Sequence, residues 1–414
     1  MRFAHLGDTH LGRAYPTTQR VSSFNQAFEL VIDRILREEL DFVIHTGDFF
    51  DKYNPWPSVV KFATEQLFRL QEKKIPVFII RGNHDGAFDI QGLRRGSSIE
   101  LTNHPLAENV YFIDPLFDKA SCVDTIGYRD FHDVRIHGLG YYSTETPKHL
   151  ENYVTPNLSD EAVNILLLHT FVKGYTLNPA GEPYINLQDL DTSLLQYVAV
   201  GHDHRMLSPI TLKNGTVIAC SGSTELWDFR ESRHKGFYLV EIDNAVKVKP
   251  AMIETSQMMT TIEIDSPSPK PPEWYVEKAK IELKKLVNAT DKDLIVRVNM
   301  RGPLSRGSLI DIPMEELDLF ALEYKKKGRL LYFEIIPPQL LIESNHMAML
   351  LEHFDVEQFL DTILLDKGLV KDVYSVYQKA NELLADDSNL TRNKNLKKEA
   401  FDVLLDEIVK RWGS

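Results

Sequence analysis

The chain has 414 residues, of which 43% are hydrophobic and 26% are charged. These values are close to the averages of globular proteins, so a fibrous or wholly disordered chain is excluded, and the length predicts two or three domains. The formal net charge of −13 argues against a protein that grips nucleic acid over its whole surface.

The start of the chain and its cysteines indicate the compartment. Residues 1–8 enter the first motif with no basic or apolar leader, and no later apolar run has membrane-spanning length, so we expect a cytoplasmic protein without a membrane partner. Cys122 and Cys220 lie far apart beside apolar or small residues, which favours buried reduced thiols. A single disulfide between them remains open.

Short β-rich runs alternate with helical segments over residues 1 to about 240, which predicts an α/β domain built on layered sheets. Ser22 is a candidate N-cap for the first helix, whose apolar residues recur at helical spacing from Phe24 to Leu36. The second helix is expected to begin near Pro57. We assign residues 1–245 to this first domain.

Five of the predicted strands end in residue types that bind metals. The runs are 1–6 before Asp8 and His10, 42–44 before Asp48, 77–80 before Asn83 and His84, 165–168 before His169, and 197–200 before His202 and His204. Each motif alone means little, because Asp and His are common in loops. Strands that end at one edge of a sheet deliver their loops to a common crevice, so the five together predict one site.

Seven of these residues are candidate metal ligands: Asp8, His10, Asp48, Asn83, His169, His202 and His204. They offer oxygen and nitrogen but no thiolate, which favours Mn²⁺, Fe²⁺, Zn²⁺ or Mg²⁺. Asp48 is the candidate bridge between two ions about 3.5–4 Å apart, a pair that activates a water and stabilises charge on a phosphoryl group. Two divalent ions would also let an acidic protein receive phosphate.

His84 is assigned outside the ligand set, because neighbours on an extended loop point in different directions. It is the candidate catalytic residue, which would stabilise the pentacovalent centre or protonate the leaving oxygen. Asp85 is expected to orient His84 by accepting its second N–H. The other histidines, among them His5 and His45, are interpreted as structural.

A Ser/Pro run at 266–272 cannot lie inside a helix or a central strand, and a second unit surrounds it. Its predicted elements are strand 260–264, helix 273–287, strand 294–300, helix 313–326 and strand 330–336. We predict a small α+β capping and DNA-binding domain at 246–338. Residues 270–336 contain 13 Lys/Arg and 11 Asp/Glu, so this part is near +2 while the remainder is near −15.

The last segment, 339–414, is predicted to be helical, with helices at 356–365, 370–384 and 397–412. Its apolar residues present more surface than a short helix pair can bury alone. A partner protein would cover this surface, or the helices would fold back on the catalytic body.

The motifs resemble those of the calcineurin-like metallophosphoesterase superfamily. Within it the chain is similar to the SbcD and meiotic-recombination-eleven type of DNA double-strand-break repair nuclease. The stretches that carry the likeness are residues 3–12, 47–51, 81–85 and 220–225. The motifs cover residues 1 to about 235, whereas the cap and the tail match in arrangement only.

The resemblance implies a Mn²⁺-dependent 3′-to-5′ exonuclease and single-strand endonuclease that is homodimeric and associated with the nucleoid. It also implies two ions per chain, one held by Asp8, His10, Asp48 and His204 and the other by Asp48, Asn83, His169 and His202. The C-terminal helices would dock on an ABC-type, chromosome-maintenance-like coiled-coil ATPase.

Two positions depart from the family pattern. Many relatives have a histidine three residues after the bridging aspartate, where this chain has Asp51. A carboxylate there cannot donate to a phosphate as a cation, which affects the expected strand preference. Asp203 stands where relatives often have an apolar or hydroxyl residue.

Candidate DNA contacts follow the first three motifs, because Arg with interleaved aromatic residues suits phosphates and exposed bases. They are Arg13, Tyr15, Tyr53, Arg94 and Arg95. For each of them a solvated loop residue is the more common explanation. The alternative functions are a general metallophosphoesterase acting on nucleotides or other small phosphoesters, and a DNA-end tether without activity.

Overall fold

A computed structural model describes residues 1–88, 94–97, 108–113, 127–177, 179–231, 234–336 and 339–341; for residues 87–88, 94–97 and 339–341 it describes the backbone alone. The predicted tail helices and Cys122 lie outside these residues. Cys220 is buried as a free thiol. Among the helices of the described residues, none has the length and apolar character needed to cross a membrane.

The elements alternate along the chain as the sequence predicts. The helices are α1 (Arg20–Ile35), α2 (Pro57–Glu72), α3 (Thr146–His149), α4 (Pro272–Ala289) and α5 (Met314–Lys326). The strands are β1 (Arg2–Leu6), β2 (Phe42–His45), β3 (Val77–Ile79), β4 (Gly86–Phe88), β5 (Arg94–Ser97), β6 (Val110–Phe112), β7 (Tyr128–Phe131), β8 (Val134–Leu139), β9 (Val163–His169), β10 (Phe171–Lys173), β11 (Tyr184–Asn186), β12 (Leu195–Gly201), β13 (Leu207–Thr211), β14 (Val217–Cys220), β15 (Gly236–Ile242), β16 (Val246–Met252), β17 (Gln257–Asp265), β18 (Asp293–Pro303), β19 (Leu330–Ile335) and β20 (Gln339–Leu341).

Two six-stranded sheets form the first part of the fold. Their strand orders are β16-β15-β1-β2-β3-β6 and β13-β14-β12-β9-β8-β7. Neighbours from β1 to β6 in the first sheet and from β14 to β8 in the second run parallel, while the outer strands pair antiparallel. The motif strands β9 and β12 are almost continuously apolar because both of their faces are buried.

The sheets face each other across a shared core that includes Phe3, Phe42, Phe78, Ile165 and Tyr197. On its other side the first sheet packs against α1 and α2, whose apolar residues repeat at helical spacing. The predicted sheet sandwich flanked by helices is confirmed.

The predicted start of α2 is confirmed, whereas the predicted N-cap of α1 is wrong. α2 begins at Pro57, where the missing N–H of proline costs no helical hydrogen bond. α1 begins at Arg20 after Gln19, so Ser22 is not its N-cap. The Ser22 hydroxyl instead donates to the Gln19 carbonyl at 2.7 Å, inside the first turn.

The small α+β unit has the predicted order of elements. Its sheet, β17-β18-β19 with β20 beside β18, is parallel, and α4 and α5 pack on one face around an apolar core. Two predicted boundaries need correction. Residues 246–252 form β16, which pairs with β15 in the first sheet, and Gln339–Leu341 form a strand rather than the start of a helical segment.

Candidate metal centre

The carboxyl ends of five strands carry the predicted ligands. β1, β2 and β3 lie side by side in the first sheet, and β9 and β12 are neighbours in the second. Because each set is parallel, its loops leave at a common edge, and the side chains of these loops meet there.

The residues meet in two groups that share Asp48. Asp8, His10, Asp48 and His204 offer ligand atoms that all lie within 4.8 Å of one another, and so do Asp48, His169 and His202. Asn83 joins the second group, because its Oδ1 lies 3.1 Å from His169 Nε2. The structure thus brings together all seven predicted ligands in the division that the resemblance implied.

The ring nitrogens converge at short distances. His10 Nε2 lies 3.1 Å from His204 Nε2, and it lies 3.7 Å from the Asp48 carboxylate. His169 Nε2 approaches the same carboxylate at 3.4 Å. Two imidazole nitrogens that face each other this closely share at most one proton, which is the arrangement of ligands aimed at a common cation.

The backbone is strained at the ligands. Asp8, His10, Asp48 and His202 have φ values of 50°, 42°, 52° and 79°, in the left-handed region that side-chain-bearing residues rarely adopt. Such residues cost about 1–3 kcal/mol each and persist where the surrounding structure holds them in place. Four of them among seven ligands indicate a site shaped for function.

Two glycines in the motifs allow the motif loops to approach one another closely. A Cβ at Gly82 would lie 2.0 Å from Asp48 Oδ1, and a Cβ at Gly47 would lie 2.6 Å from His169 Nδ1. Gly47 also has a φ of 95°. These two positions require glycine because a side chain would displace a ligand.

Hydrogen bonds fix the tautomers of two histidine ligands. His169 Nδ1–H donates to the Thr46 carbonyl at 2.6 Å, and His204 Nδ1–H donates to Glu231 Oε1 at 2.7 Å. Lys235 in turn binds the second Glu231 oxygen at 2.8 Å. Both rings therefore direct Nε2 toward the site.

Burial and charge perturb the pKa values of the ligands. Burial raises the pKa of Asp8 to about 6 and lowers the pKa of His202 to about 3. Burial acts against the charged forms of Asp48 and His169 as well, but their mutual attraction prevails: the pKa of Asp48 lies well below its ordinary value and that of His169 rises to about 9.

The donor set fits two divalent cations. The buried Nε2 of His202 has no hydrogen-bond partner among the described residues, although a buried polar atom normally has one. All seven candidate ligands offer oxygen or nitrogen, and the atoms of two buried carboxylates and four imidazoles converge in the two groups. Metal ions would satisfy both features.

His84 lies beside these groups rather than in them. Its backbone N–H donates to Asp48 Oδ1 and its Nδ1–H donates to the Asp51 carbonyl, each at 2.8 Å. The latter contact corrects the prediction that Asp85 accepts this ring N–H. The Asp85 carboxylate accepts the backbone N–H groups of Phe49, Phe50 and Gly82, so it ties the second and third motif loops together.

The predicted DNA contacts differ in exposure. Tyr15 and Tyr53 are 48% and 42% exposed. Arg94 and Arg95 lie on β5, but their side chains are outside the described atoms. Arg13 is buried, and its Nη1 binds the Asp51 carboxylate at 3.0 Å, which contradicts an exposed contact. Asp203 accepts from Leu177 N–H and pairs with Arg205.

Three residues of the site were not predicted from the sequence. Glu231 accepts the Nδ1–H of His204, and His45 accepts from Gly47 N–H and bonds the Thr9 hydroxyl. Trp227 packs against the rings of His10, His84 and His204. Glu231 and Trp227 lie in the loop after β14. The only signal there was the 220–225 stretch, which contains no metal ligand.

A second cleft, of about 550 Å³, lies on the face of the cap sheet opposite α4 and α5. Its lining includes Phe229, Arg230, Arg297, Asn299 and Arg301. Arg297 stacks over Phe229 at 4.1 Å and binds Glu334 at 2.6 Å. Phe229 and Arg230 belong to the loop that also supplies Trp227 and Glu231, so this loop joins the metal centre to the cleft.

Comparison with known proteins agrees with the geometry. Residues 1–206 match the calcineurin-like phosphoesterase family. These residues form a calcineurin-like phosphoesterase domain, as the motifs predict.

Within this class the chain is similar to archaeal DNA double-strand break repair proteins Mre11. It is 31% identical to the Methanococcus maripaludis protein over 257 residues (58% of this chain, 63% of that protein) and 31% identical to the Archaeoglobus fulgidus protein over 255 residues (56% and 52%). These alignments span less than two thirds of either relative. The Saccharolobus solfataricus protein is 24% identical over 422 residues (99% and 98%). The resemblance to the SbcD and meiotic-recombination-eleven type is thereby confirmed.

Proposed function

We propose that this protein is a Mn²⁺-dependent DNA double-strand-break repair nuclease, with 3′-to-5′ exonuclease and single-strand endonuclease activity. The observation that carries the proposal is the pair of ligand groups sharing Asp48, with His84 directly beside them. The similarity to Mre11 proteins supports DNA as the substrate.

The ligand groups define the place of the reaction. Asp8, His10, Asp48 and His204 would hold one ion, and Asp48, Asn83, His169 and His202 the other. When bound, the two ions activate the attacking water and neutralise charge on the phosphoryl oxygens. Thr46 and Glu231 keep the ligand rings in the orientation that this requires.

His84 is the candidate proton donor to the leaving oxygen. Its Nδ1–H is held by the Asp51 carbonyl, so Nε2 is the ring atom available to substrate. Its backbone N–H is bound to Asp48, which sets its place relative to both ligand groups. This arrangement separates proton transfer from metal binding.

The cap cleft offers a path for a single strand. Three arginines line it with Phe229 and Glu263, and arginine with an aromatic face suits phosphates and unstacked bases. Arg230 and Arg297 are paired with Asp228 and Glu334, so Arg301 is the candidate phosphate contact. A small phosphoester would not reach this cleft and would not need it. The cleft therefore favours a polynucleotide over the alternative of a general phosphoesterase.

The remaining parts of the proposal concern partners. We assign residues 342–414 to docking on an ABC-type coiled-coil ATPase, because Gln339–Leu341 belong to the cap sheet. We also assign a homodimer that acts in the cytoplasm at the nucleoid. The apolar residues of the tail sequence support the docking assignment. The resemblance to the repair nucleases supports the dimer.

The proposal is tested with linear duplex and single-stranded DNA in Mn²⁺. The wild-type protein should cleave both, whereas His84→Ala should lower kcat by about 10²- to 10⁴-fold, because a positioned proton donor contributes that much. Metal content measured by mass spectrometry should stay at two ions in both proteins. Firm DNA binding without Mn²⁺-dependent cleavage by the wild type would refute the proposal.

A further inference from the structure

Arg13 joins three loops of the site through one guanidinium group. Its Nη1 donates to Asp51 Oδ1 at 3.0 Å and its Nε donates to the Trp227 carbonyl at 3.1 Å. The guanidinium carbon lies 3.6 Å from the centre of the Trp227 ring. The Arg13 side chain is only 9% exposed. A charged group buried to this degree persists because it is paired and hydrogen-bonded.

Both partners of Arg13 contact His84. The backbone carbonyl of Asp51 accepts the His84 Nδ1–H at 2.8 Å. The Trp227 ring packs edge-on against His84 with the ring centres 6.2 Å apart. Arg13 thus lies one residue away from His84 along two separate routes.

We propose that Arg13 is a positioning residue for His84, acting through Asp51 and Trp227, and that it does not contact DNA. The inference takes the catalytic role of His84 from the proposed function. It also gives a role to the carboxylate at position 51, which binds Arg13 and lies 3.7 Å from His10 Nδ1.

The chemistry requires arginine. A guanidinium is planar, so it can stack on an indole while two of its nitrogens donate in fixed directions. A lysine keeps the positive charge, but its three N–H groups share one nitrogen and it has no planar face to stack on the indole of Trp227. Arg13→Lys therefore removes the geometry while retaining the charge.

The kinetic test compares Arg13→Lys with wild type on single-stranded DNA and on bis-p-nitrophenyl phosphate. We expect kcat to fall by about 10- to 100-fold on DNA, the usual effect of losing an outer contact to a functional group. The loss should be much smaller on bis-p-nitrophenyl phosphate, because nitrophenolate leaves without a proton donor. KM for DNA and its salt dependence should stay the same. Arg135→Lys, which alters an arginine–carboxylate pair on β7 and β8, is the matched control and should behave as wild type.

A second comparison asks whether Arg13 acts through His84. Added to His84→Ala, Arg13→Lys should lower kcat little further, because residues that act as a unit are not additive. An equal further loss would overturn the inference. A phosphate contact would instead raise KM for DNA and reduce the slope of log affinity against log salt by about 0.7 per lost contact.

Crystal structures of wild type and Arg13→Lys give a readout that needs no turnover. The distance from His84 Nδ1 to the Asp51 carbonyl should lengthen beyond hydrogen-bonding range in the variant. An unchanged distance would refute the inference even if DNA is not the substrate. Should Arg13→Lys fail to fold, the nearly isosteric Asp51→Asn weakens the same pair and should show the same displacement, with a smaller loss of kcat.

Discussion

Glu231 lies outside the candidate ligand set but fixes the orientation of one of its histidines. Its carboxylate accepts His204 Nδ1–H, and Lys235 holds its other oxygen. Burial opposes charge on both Glu231 and His204, but their hydrogen bond lowers the pKa of the carboxylate and raises that of the imidazole. Glu231 therefore keeps His204 oriented with Nε2 toward the site.

Replacing Glu231 by Gln should weaken metal binding at the His204 group. The amide keeps the shape of the side chain but loses its charge, and such outer contacts are worth about 10- to 100-fold in metal affinity. Titration with Mn²⁺ followed by calorimetry would show one weakened site and one unchanged site. Glu182→Gln, at an exposed position, is the control. Equal weakening of both sites would contradict the assignment of ligands to two groups.

Gly82 tests the close approach of two motif loops. A Cβ there would meet Asp48 Oδ1 at 2.0 Å, so Gly82→Ala should displace the shared carboxylate. We expect activity to fall by about 10²-fold or more, since ångström-scale misplacement costs that much. Gly86→Ala adds the same group where the nearest atom is 3.9 Å away, and it should retain activity. Similar losses in both variants would contradict the steric argument.

The clustering of the candidate ligands was predictable because each lies at or after the end of an apolar strand at the carboxyl edge of a parallel sheet. Glu231, Trp227 and the Arg13–Asp51 pair were not predictable in the same way. They lie in loops whose paths are set by tertiary packing, and no local sequence pattern reveals which residues such loops bring together.

At the scale of elements, the loop after β14 links the metal centre to the cap. Trp227 and Glu231 contact the site, while Phe229 contacts Arg297 on β18. The cleft beside β18 therefore begins next to the candidate metal centre. A strand leaving the metal centre along this loop would meet the arginines of the cap sheet.

Arg301→Ala tests this path. The side chain is exposed and lines the cleft, so its loss should raise KM for oligonucleotides several-fold and lower the salt slope by about 0.7. Turnover of bis-p-nitrophenyl phosphate, which is too short to reach the cleft, should not change. Arg306→Ala removes an exposed arginine paired with Glu273 and serves as the control. An unchanged KM in Arg301→Ala would exclude this route.

The ends of helices and strands were harder to predict than their presence. Pro57 marked the start of α2 because proline has one favoured position in a helix. The prediction that Ser22 is the N-cap of α1 was wrong, because the hydroxyl of a serine two residues inside a helix can bond the backbone of the preceding residues. The β15–β16 hairpin crosses the predicted domain boundary, since strand pairing is decided by residues distant in sequence.

At the scale of the whole molecule, the segment that we assign to DNA binding and the segment that we assign to a partner differ in charge and in apolar content. The cap segment 270–336 is near +2 in an otherwise acidic chain, and the residues after 341 carry the apolar positions that we assign to a partner. The described residues up to Leu341 form one compact unit. Catalysis and partner docking should therefore be separable.

Deletion of residues 345–414 tests that separation. The truncated protein should keep metal-dependent cleavage of single-stranded DNA, because all ligands and the cap precede the cut. It should no longer co-purify with an added ABC-type coiled-coil ATPase, because the predicted docking helices are gone. Full-strength binding by the truncated protein would show that the docking assignment is wrong.

The most direct measurement is anomalous scattering from a Mn²⁺-soaked crystal of the protein with a short DNA. Two peaks should appear on either side of Asp48, one among Asp8, His10 and His204 and the other among Asn83, His169 and His202. A scissile phosphate should lie against both peaks, with His84 Nε2 facing its leaving oxygen. A single peak, or a phosphate bound away from Asp48, would contradict the two-metal account.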